Sequence, residues 1–437
     1  MSKDLPIWII EPDLIEKRRL SARKLLACGQ KAALIPEPFS HDSLKQRLRK
    51  VREYTRDNIS TLLEELKTNL SRQYPQVRTK AAHDNNEAIR YITEISDGIK
   101  TISINNSSIV TQELKQGLHA GGFTVINSYL DEFDVKERKI LDYWDLPRLD
   151  EKNLSETFDV SIKMAGIDHP PRAESRKYMA ILGINAISTE DTTAFFLEHF
   201  FNINKDLAQA EKVAIIVGLD KIVKSREDAA FQTKCMGIFG MESVLLGIQP
   251  RLEKTPSIAE LLLPPADKER ELHLIILDNG RAKLLEGKFK DLFLCIGCRA
   301  CNKHCPIRYS FTEVDYIWTP RNYLNLFLYG TGRSIDICLH CEACRIECPV
   351  DIDLPGLMWQ AKTDYITKHG VSFKHKILGM PEMLARLGTA FAPLANWMMS
   401  IKPVRIPMEF VAGIDRKTNL PTFHFNTFRK WFRKHAQ

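Results

Sequence analysis

The sequence predicts an α/β domain followed by a mainly helical, cysteine-rich domain. Two observations carry this. Short apolar runs alternate with helical stretches from about residue 84 to 290, and eight of the ten cysteines crowd between Cys295 and Pro349. Strands alternating with helices imply a parallel or mixed sheet. Cysteines at fixed short gaps imply a metal framework.

Residues 1–83 read as an N-terminal helical part. Asp13–Ala27 is a charged amphipathic stretch. Asp42–Leu70 places Leu44, Leu48, Val51, Ile59, Leu62, Leu63, Leu66 and Leu70 largely at helical spacing. Its many Lys and Arg residues read most simply as a solvated face, with a docking surface as the alternative. Within 84–290, Asp84 is placed to cap a helix through Ile95. Lys100–Ile104 and Phe123–Ile126 read as strands, and Ser108–His119 as a helix between them. Lys212–Val217 and Leu272–Leu277 are continuous apolar runs, as in strands buried on both faces. Asp278-Asn279-Gly280 then carries a hairpin-turn signal. Ser188–Phe201 fits either a helix or a strand and loop.

Between Cys295 and Pro349 the pattern C-x2-C-x2-C-x3-C-P occurs twice. The first array is Cys295, Cys298, Cys301, Cys305-Pro306. The second is Cys338, Cys341, Cys344, Cys348-Pro349. This is the run that holds cubane iron–sulfur clusters, the fourth cysteine ligating the other cluster. The expected sets are therefore Cys295, Cys298, Cys301 and Cys348 for one [4Fe–4S] cluster, and Cys305, Cys338, Cys341 and Cys344 for a second. Gly297, Ala300 and Ala343 let backbone N–H groups approach sulfur. Ile296, Ile307, Leu339, Ile346, Val350 and Ile352 are placed to exclude water. Zinc also uses C-x2-C pairs, but not a third cysteine in step followed by Cys-Pro, twice. His304 and His340 lie inside the arrays, yet no ligand is missing that they would replace. Arg299, Lys303 and Arg308 flank the first array, whereas Glu342, Glu347, Asp351 and Asp353 surround the second against Arg345. The first set is expected to have the higher reduction potential.

The spacer Pro306–Ile337 contains a helix signal at Asn322–Tyr329, ended by Gly330-Thr-Gly332. Another helix follows Pro355, through Leu357–Thr367. Residues 291–368 thus read as an all-α domain for two clusters, and 369–437 as a helical and extended tail. From Lys402 onward this tail has eight Lys and Arg residues against Glu409 and Asp415.

The formal charge is +7. Two bound clusters, each roughly −2 with its thiolates, would bring this to about +3, too slight to imply nucleic acid. Metal-type cysteine spacing points to a reducing, cytoplasmic compartment. Ile7–Ile10 is too short for a secretory core, no apolar run follows Arg18-Arg19, and no stretch is long and charge-free enough to span a bilayer.

Other candidates read as structural. Glu190 and Asp191 are adjacent and suit capping better than paired acid–base work. His119 with Gly121-Gly122 suits a helix end better than a phosphate loop. Cys28 and Cys235 read as buried small residues.

The order of parts resembles the lactate utilization protein B family, an LUD domain followed by a two-cluster helical ferredoxin domain. The resemblance rests on the cysteine arrays, Ser107–Leu114, Leu272–Leu285, Gly413–Pro421 and Thr427–Trp431. It implies an isomerase- or CoA-transferase-like α/β fold over 84–290. It also implies an iron–sulfur electron-transfer subunit of a multisubunit oxidoreductase, of the lactate-dehydrogenase or heterodisulfide-reductase kind. The partner would be a CCG-domain protein or a flavoprotein, docking through the 369–437 tail and holding the protein at the inner membrane face. Gly183–Ala194 departs from the family's glycine-rich pattern. The alternative is an enzyme whose LUD pocket takes a phosphorylated or CoA-linked small molecule, its clusters being regulatory or structural. A third reading is an assembly scaffold.

Overall fold

A computed structural model describes residues 7–10, 41–105, 107–127, 177–197, 202–241, 261–262, 271–307, 320–328, 338–371 and 373–436. Asp13–Ala27, Cys28, Arg308 and Gly330–Gly332 lie outside them. The chain divides into two units, Met1–Met358 and Trp359–Gln437.

In the first unit the strands are β1 (Ile7–Ile10), β2 (Arg78–Ala82), β3 (Thr101–Ile104), β4 (Thr124–Asn127), β5 (Tyr178–Gly183) and β6 (Ala186–Ser188). They continue with β7 (Ala194–Leu197), β8 (Lys212–Gly218), β9 (Ile222–Val223), β10 (Leu261–Leu262) and β11 (Glu271–Leu277). The helices are α1 (His41–Asp57), α2 (Ile59–Gln73), α3 (Asn85–Ile95), α4 (Lys115–Ala120), α5 (Asn202–Gln209), α6 (Arg226–Met241), α7 (Arg281–Leu285), α8 (Pro320–Leu328) and α9 (Ala343–Ile346). A π-helical turn, Ile109–Leu114, leads into α4. α10 (Leu354–His369) runs across the division between the units. The second unit continues with α11 (Phe373–Leu378), α12 (Pro381–Ala390), α13 (Ala392–Ser400), α14 (Lys402–Ala412) and α15 (Phe428–His435).

A six-stranded sheet runs β2-β11-β8-β5-β3-β4, and each adjacent pair is parallel. Its central strands are apolar on both faces because both are covered. Val213, Ile215 and Val217 of β8 pack with Leu62, Leu66 and Leu70 of α2. Ala214 and Ile216 pack on the other side with Ile92 of α3 and Leu114. Strict alternation of one apolar strand between two cores is the reason Lys212–Val217 carries no polar break. Asp84 caps α3, its side chain accepting from Glu87 N at 2.8 Å. A second, mixed sheet runs β10-β1-β7-β6-β9.

Three expectations are corrected. Residues 1–83 are not all helical. β1 enters the mixed sheet between β7 and β10, and β2 forms an edge of the parallel sheet. Only Ala82 of β2 is buried, so this strand has no hydrophobic pattern to read. Asn58 divides the stretch Asp42–Leu70 into α1 and α2. Asp278-Asn279-Gly280 does not close a hairpin. β11 has parallel neighbours on both sides, and the turn feeds α7 with Gly280 left-handed at φ 80°. The ambiguous stretch Ser188–Phe201 contributes the end of β6, a turn and β7, with 198–201 outside the described residues.

His273 of β11 is fully buried between Tyr91 Oη at 3.0 Å and Glu271 Oε1 at 3.1 Å. Burial lowers its pKa below the usual 6.5 and outweighs the attraction of Glu271. The unfolded imidazole therefore takes up a proton at a higher pH than the folded one. Its contribution to stability is present above the unfolded value and is lost as pH falls through the folded value. Urea titrations between pH ~7 and ~5 should show falling stability, with a shallower fall in His273→Gln. Equal slopes in the two proteins would remove His273 as the cause.

Candidate iron–sulfur site

The two arrays repeat one backbone conformation. Gly297 and His340 occupy equivalent positions and are left-handed, at φ 84° and 50°. Arg299 and Glu342 are likewise equivalent, at φ 60° and 62°. Three of these carry a side chain that disfavours this region by roughly 1–2 kcal/mol each, so the surrounding structure must hold them there. After each left-handed pair comes a short helical turn, Ala300–Asn302 in the first array and α9 in the second. The two turns pack together. The described residues from 291 to 352 contain helical turns and no strand.

The sulfurs gather across the arrays. Cys301 is electrostatically coupled to Cys295, Cys298 and Cys348. Cys344 is coupled to Cys338, Cys305 and Cys341. Burial pushes the Cys298 thiol up to about 12 and the Cys348 thiol up to about 11. Cys301 and Cys344 are also raised, burial again being the largest cause. Backbone N–H groups meet the sulfurs: Gly297 N lies 3.3 Å from Cys295 Sγ, and Ile352 N 3.3 Å from Cys348 Sγ. Among the described residues, no three His, Cys, Asp or Glu side chains converge closely enough to hold a single metal ion. The donor set is two looser groups of four thiols served by backbone donors, a chemistry that suits iron–sulfur clusters.

The two groups differ in exposure. Ile296, Ala300, Val350 and Ile352 are buried, whereas Leu339 is 65% and Ile346 43% exposed and Cys341 lies at the surface. Leu339 and Ile346 therefore do not exclude water as expected. His304 Nε2 lies 3.6 Å from Glu347 Oε1, which is buried. Glu342, Asp351 and Asp353 surround Arg345 at 3.7–3.8 Å.

The cations that hold this region are ones whose spacing alone suggests a solvated face. α1 carries Lys45, Arg49, Arg52 and Arg56 at helical spacing, and all four reach cluster-domain residues. Lys45 Nζ donates to Ile346 O at 2.9 Å, and Arg49 to Val350 O and Asp351 O at 2.8 and 2.9 Å. Arg52 is fully buried and donates to Phe293 O at 2.8 Å, Leu294 O at 3.1 Å and Gln232 Oε1 at 3.0 Å. Arg56 pairs with Asp291 at 2.9 Å. Burial lowers Arg52 to a pKa of about 10, so it stays charged at neutral pH. The 4, 3, 4 spacing is legible in the chain, but the carbonyls that take these donors, buried only for Arg52, lie some 240–300 residues away.

A second tie comes from the C-terminal edge of the parallel sheet. Lys221 Nζ donates to Ile296 O at 2.9 Å and pairs with Asp220 at 3.0 Å. Asp220 accepts from Arg281 Nε at 2.6 Å, and Arg281 also binds Glu113 at 2.6 Å. Burial opposes the charge on Asp220, but Lys221, Arg281, Arg321 and Arg52 outweigh it and hold its carboxyl far below the usual range.

The remaining candidates lie in a turn and in helices outside the cysteine arrays. Asp191 accepts from Thr193 Oγ1 at 2.7 Å within its own turn, and Glu190 is exposed. Ser188, Thr189, Thr192 and Thr193 are buried in the β6–β7 hairpin. His119 O accepts from Gly122 N at the end of α4. Cys235 is buried in α6, its thiol pushed up by burial.

The family model for the 4Fe-4S dicluster domain matches residues 291–352. Lactate utilization protein B 1 of Bacillus mycoides (strain KBAB4) is 24% identical over 279 residues, covering 59% of this chain and 56% of the relative. Lactate utilization protein B of Bacillus licheniformis is 24% identical over 318 residues, covering 67% and 62%. One of the subunits of the anaerobic glycerol-3-phosphate dehydrogenase of Escherichia coli (strain K12) is 31% identical over 86 residues, covering 20% and 22%. The chain spans little more than half the length of the first of these relatives. The resemblance to lactate utilization protein B is therefore shown over more than half of the chain. No solved structure matches.

Arg52→Met leaves three buried acceptors without their donor. Losses of about 1–3 kcal/mol per orphaned group imply at least ~3 kcal/mol in all. A urea titration of the full chain reads this, and an unchanged midpoint would show that the guanidinium is not the tie.

Proposed function

We propose that the protein is an iron–sulfur electron-transfer subunit of a multisubunit oxidoreductase. The observation that carries this is the gathering of eight thiols into two sets, one packed against the α/β body and one reaching the surface. Cys295, Cys298, Cys301 and Cys348 would hold one [4Fe–4S] cluster, and Cys305, Cys338, Cys341 and Cys344 the other. Each cluster, when bound, supplies reversible one-electron chemistry. The polypeptide supplies the thiolates, the N–H groups aimed at them and the charge around each set. The match to a dicluster family model supports two clusters, and the similarity to a protein named as a dehydrogenase subunit supports work within a complex.

The surface set is where a partner would meet the chain. Leu339 and Cys341 are exposed there, beside Glu342, Asp351 and Asp353. A CCG-domain protein or a flavoprotein is the proposed partner, and lactate-type oxidation the proposed setting. No residue of this chain need touch the organic substrate. The enzyme reading draws no support from Gly183–Ala194, whose hydroxyls are buried in a hairpin and whose Asp191 is used in its own turn.

Crossed ligation makes a direct test. Cys348→Ser should disturb the same EPR signal as Cys295→Ser, and Cys305→Ser the same signal as Cys338→Ser. Signals that instead group array by array would refute the assignment.

The deep set has Arg52, Lys221 and Lys303 around it, the surface set three carboxylates against Arg345. One unscreened charge at about 7 Å, with an effective dielectric near 20, is worth roughly 2 kcal/mol, about 100 mV for one electron, and the pairing of Lys221 with Asp220 at 3.0 Å reduces its share. The deep set should therefore titrate at the higher potential. Lys221→Met should lower that potential by about 59 mV, a tenfold change in the reduction equilibrium, and leave the other signal in place. Lys221→Arg should restore most of it. An EPR-monitored redox titration with the reverse order would defeat this charge argument.

A further inference from the structure

We propose that the C-terminal unit binds directly to an anionic lipid surface through its last helix, α15. This inference rests on the tail alone and not on the electron-transfer reading. Phe428, Trp431, Phe432 and His435 recur at i, i+3, i+4 and i+7 and share one face. Their rings form a continuous stack, with centroids 5.8 Å apart for Phe428–Trp431 and Phe428–Phe432 and 4.9 Å for Trp431–His435. Phe428 is 73%, Trp431 55% and Phe432 53% exposed. The intervening positions are Arg429, Lys430, Arg433 and Lys434, and no acidic residue follows Asp415.

The helix is held rather than frayed. Thr427 caps it, accepting from Lys430 N. The extended segment before it is tied to α13: Asn396 donates to Phe423 O and accepts from Phe423 N, both at 2.9 Å. Phe423 lies so close to Gly388 of α12 that a Cβ there would meet its ring at 2.5 Å. Arg429 pairs with Glu382 of the same helix at 2.6 Å. The unit adds exposed Phe391, Trp397 and Phe410, the last 93% exposed.

Charge decides between occupants. Protein interface cores are depleted in lysine, and across an interface a positive patch meets a negative one. Here exposed rings sit on one face and only cations on the other, without a carboxylate on the helix. Rings lodged among headgroups with Lys and Arg turned to lipid phosphates fit this arrangement. Among the described residues no helix is long and apolar enough to cross a bilayer, so the contact would lie in the membrane plane.

The test is sedimentation of the full, cluster-loaded chain with vesicles of phosphatidylcholine alone or mixed with phosphatidylglycerol. Retention is expected only with phosphatidylglycerol, and should weaken as salt is added. The double variants Trp431→Ser/Phe432→Ser and Arg433→Gln/Lys434→Gln should each lose about tenfold or more in binding. All these side chains are exposed, and unchanged circular dichroism, iron content and EPR signal would show that the fold and clusters persist. Failure here would thus leave the electron-transfer reading standing. The proposal is overturned if the chain ignores phosphatidylglycerol vesicles or if binding survives the Trp431/Phe432 pair. It is equally overturned if the tail captures a protein partner or packs on its own α/β body without any lipid binding.

Discussion

A stripe of cations on one helix ties the segments around the cysteine arrays to the rest of the first unit. Lys45, Arg49, Arg52 and Arg56 end on main-chain carbonyls or a carboxylate of residues 291–351. Those carbonyls lie at the ends of short helical turns, Phe293 and Leu294 before the first array and Ile346 at the end of α9, or in the stretch Val350-Asp351, where no ladder continues to supply donors. A buried carbonyl without a donor costs about 1–3 kcal/mol, and Arg52 supplies that donor to Phe293 O and Leu294 O. Two of these charges, Lys45 and Arg52, also act on the thiols of Cys348 and Cys295. One set of side chains thus serves both the fold and the electrostatics of the site.

The parallel sheet contributes rigidity and a second anchor. Ligands of open α/β folds commonly lie beyond the C-terminal ends of the strands. At that edge this chain places Glu113, Arg281, Asp220 and Lys221 in a continuous series of ion pairs ending on Ile296 O. A Cβ on Gly218 would meet Asp220 Oδ1 at 2.5 Å, and one on Gly183 would meet Ser107 Oγ at 2.2 Å. The edge is thus closely filled by the chain's own groups, and Lys221 joins it to the first cysteine array. An α/β body built this way acts as a brace for the arrays.

The C-terminal unit obeys a different logic. Its helices are short, three carry proline at their first or second position, and many of their large apolar side chains are exposed. Internal order comes from specific ties: Asn396 to the Phe423 backbone, and buried Arg405 to the carbonyls of Asp415, Arg416 and Thr418 after Gly413 ends α14. Such a unit keeps its shape while leaving its apolar residues available to another phase or molecule.

Local chemistry makes part of this legible in the chain. The cysteine spacing, the Asp84 cap and the two-sided apolar runs of β8 and β11 each depend on neighbours a few residues apart, and each can be read directly. The long-range partnerships cannot. Four residues at Ile7–Ile10 become a strand only because Ala194–Leu197 and Leu261–Leu262 lie beside them. Asp278-Asn279-Gly280 suits a hairpin or a strand-to-helix turn equally, and parallel neighbours decide for the helix. The basic face of α1 resembles any solvated helix until the carbonyls of distant loops come within reach of it. Hydrogen bonding and burial across hundreds of residues carry no local pattern, so only the folded chain could assign those charges their work.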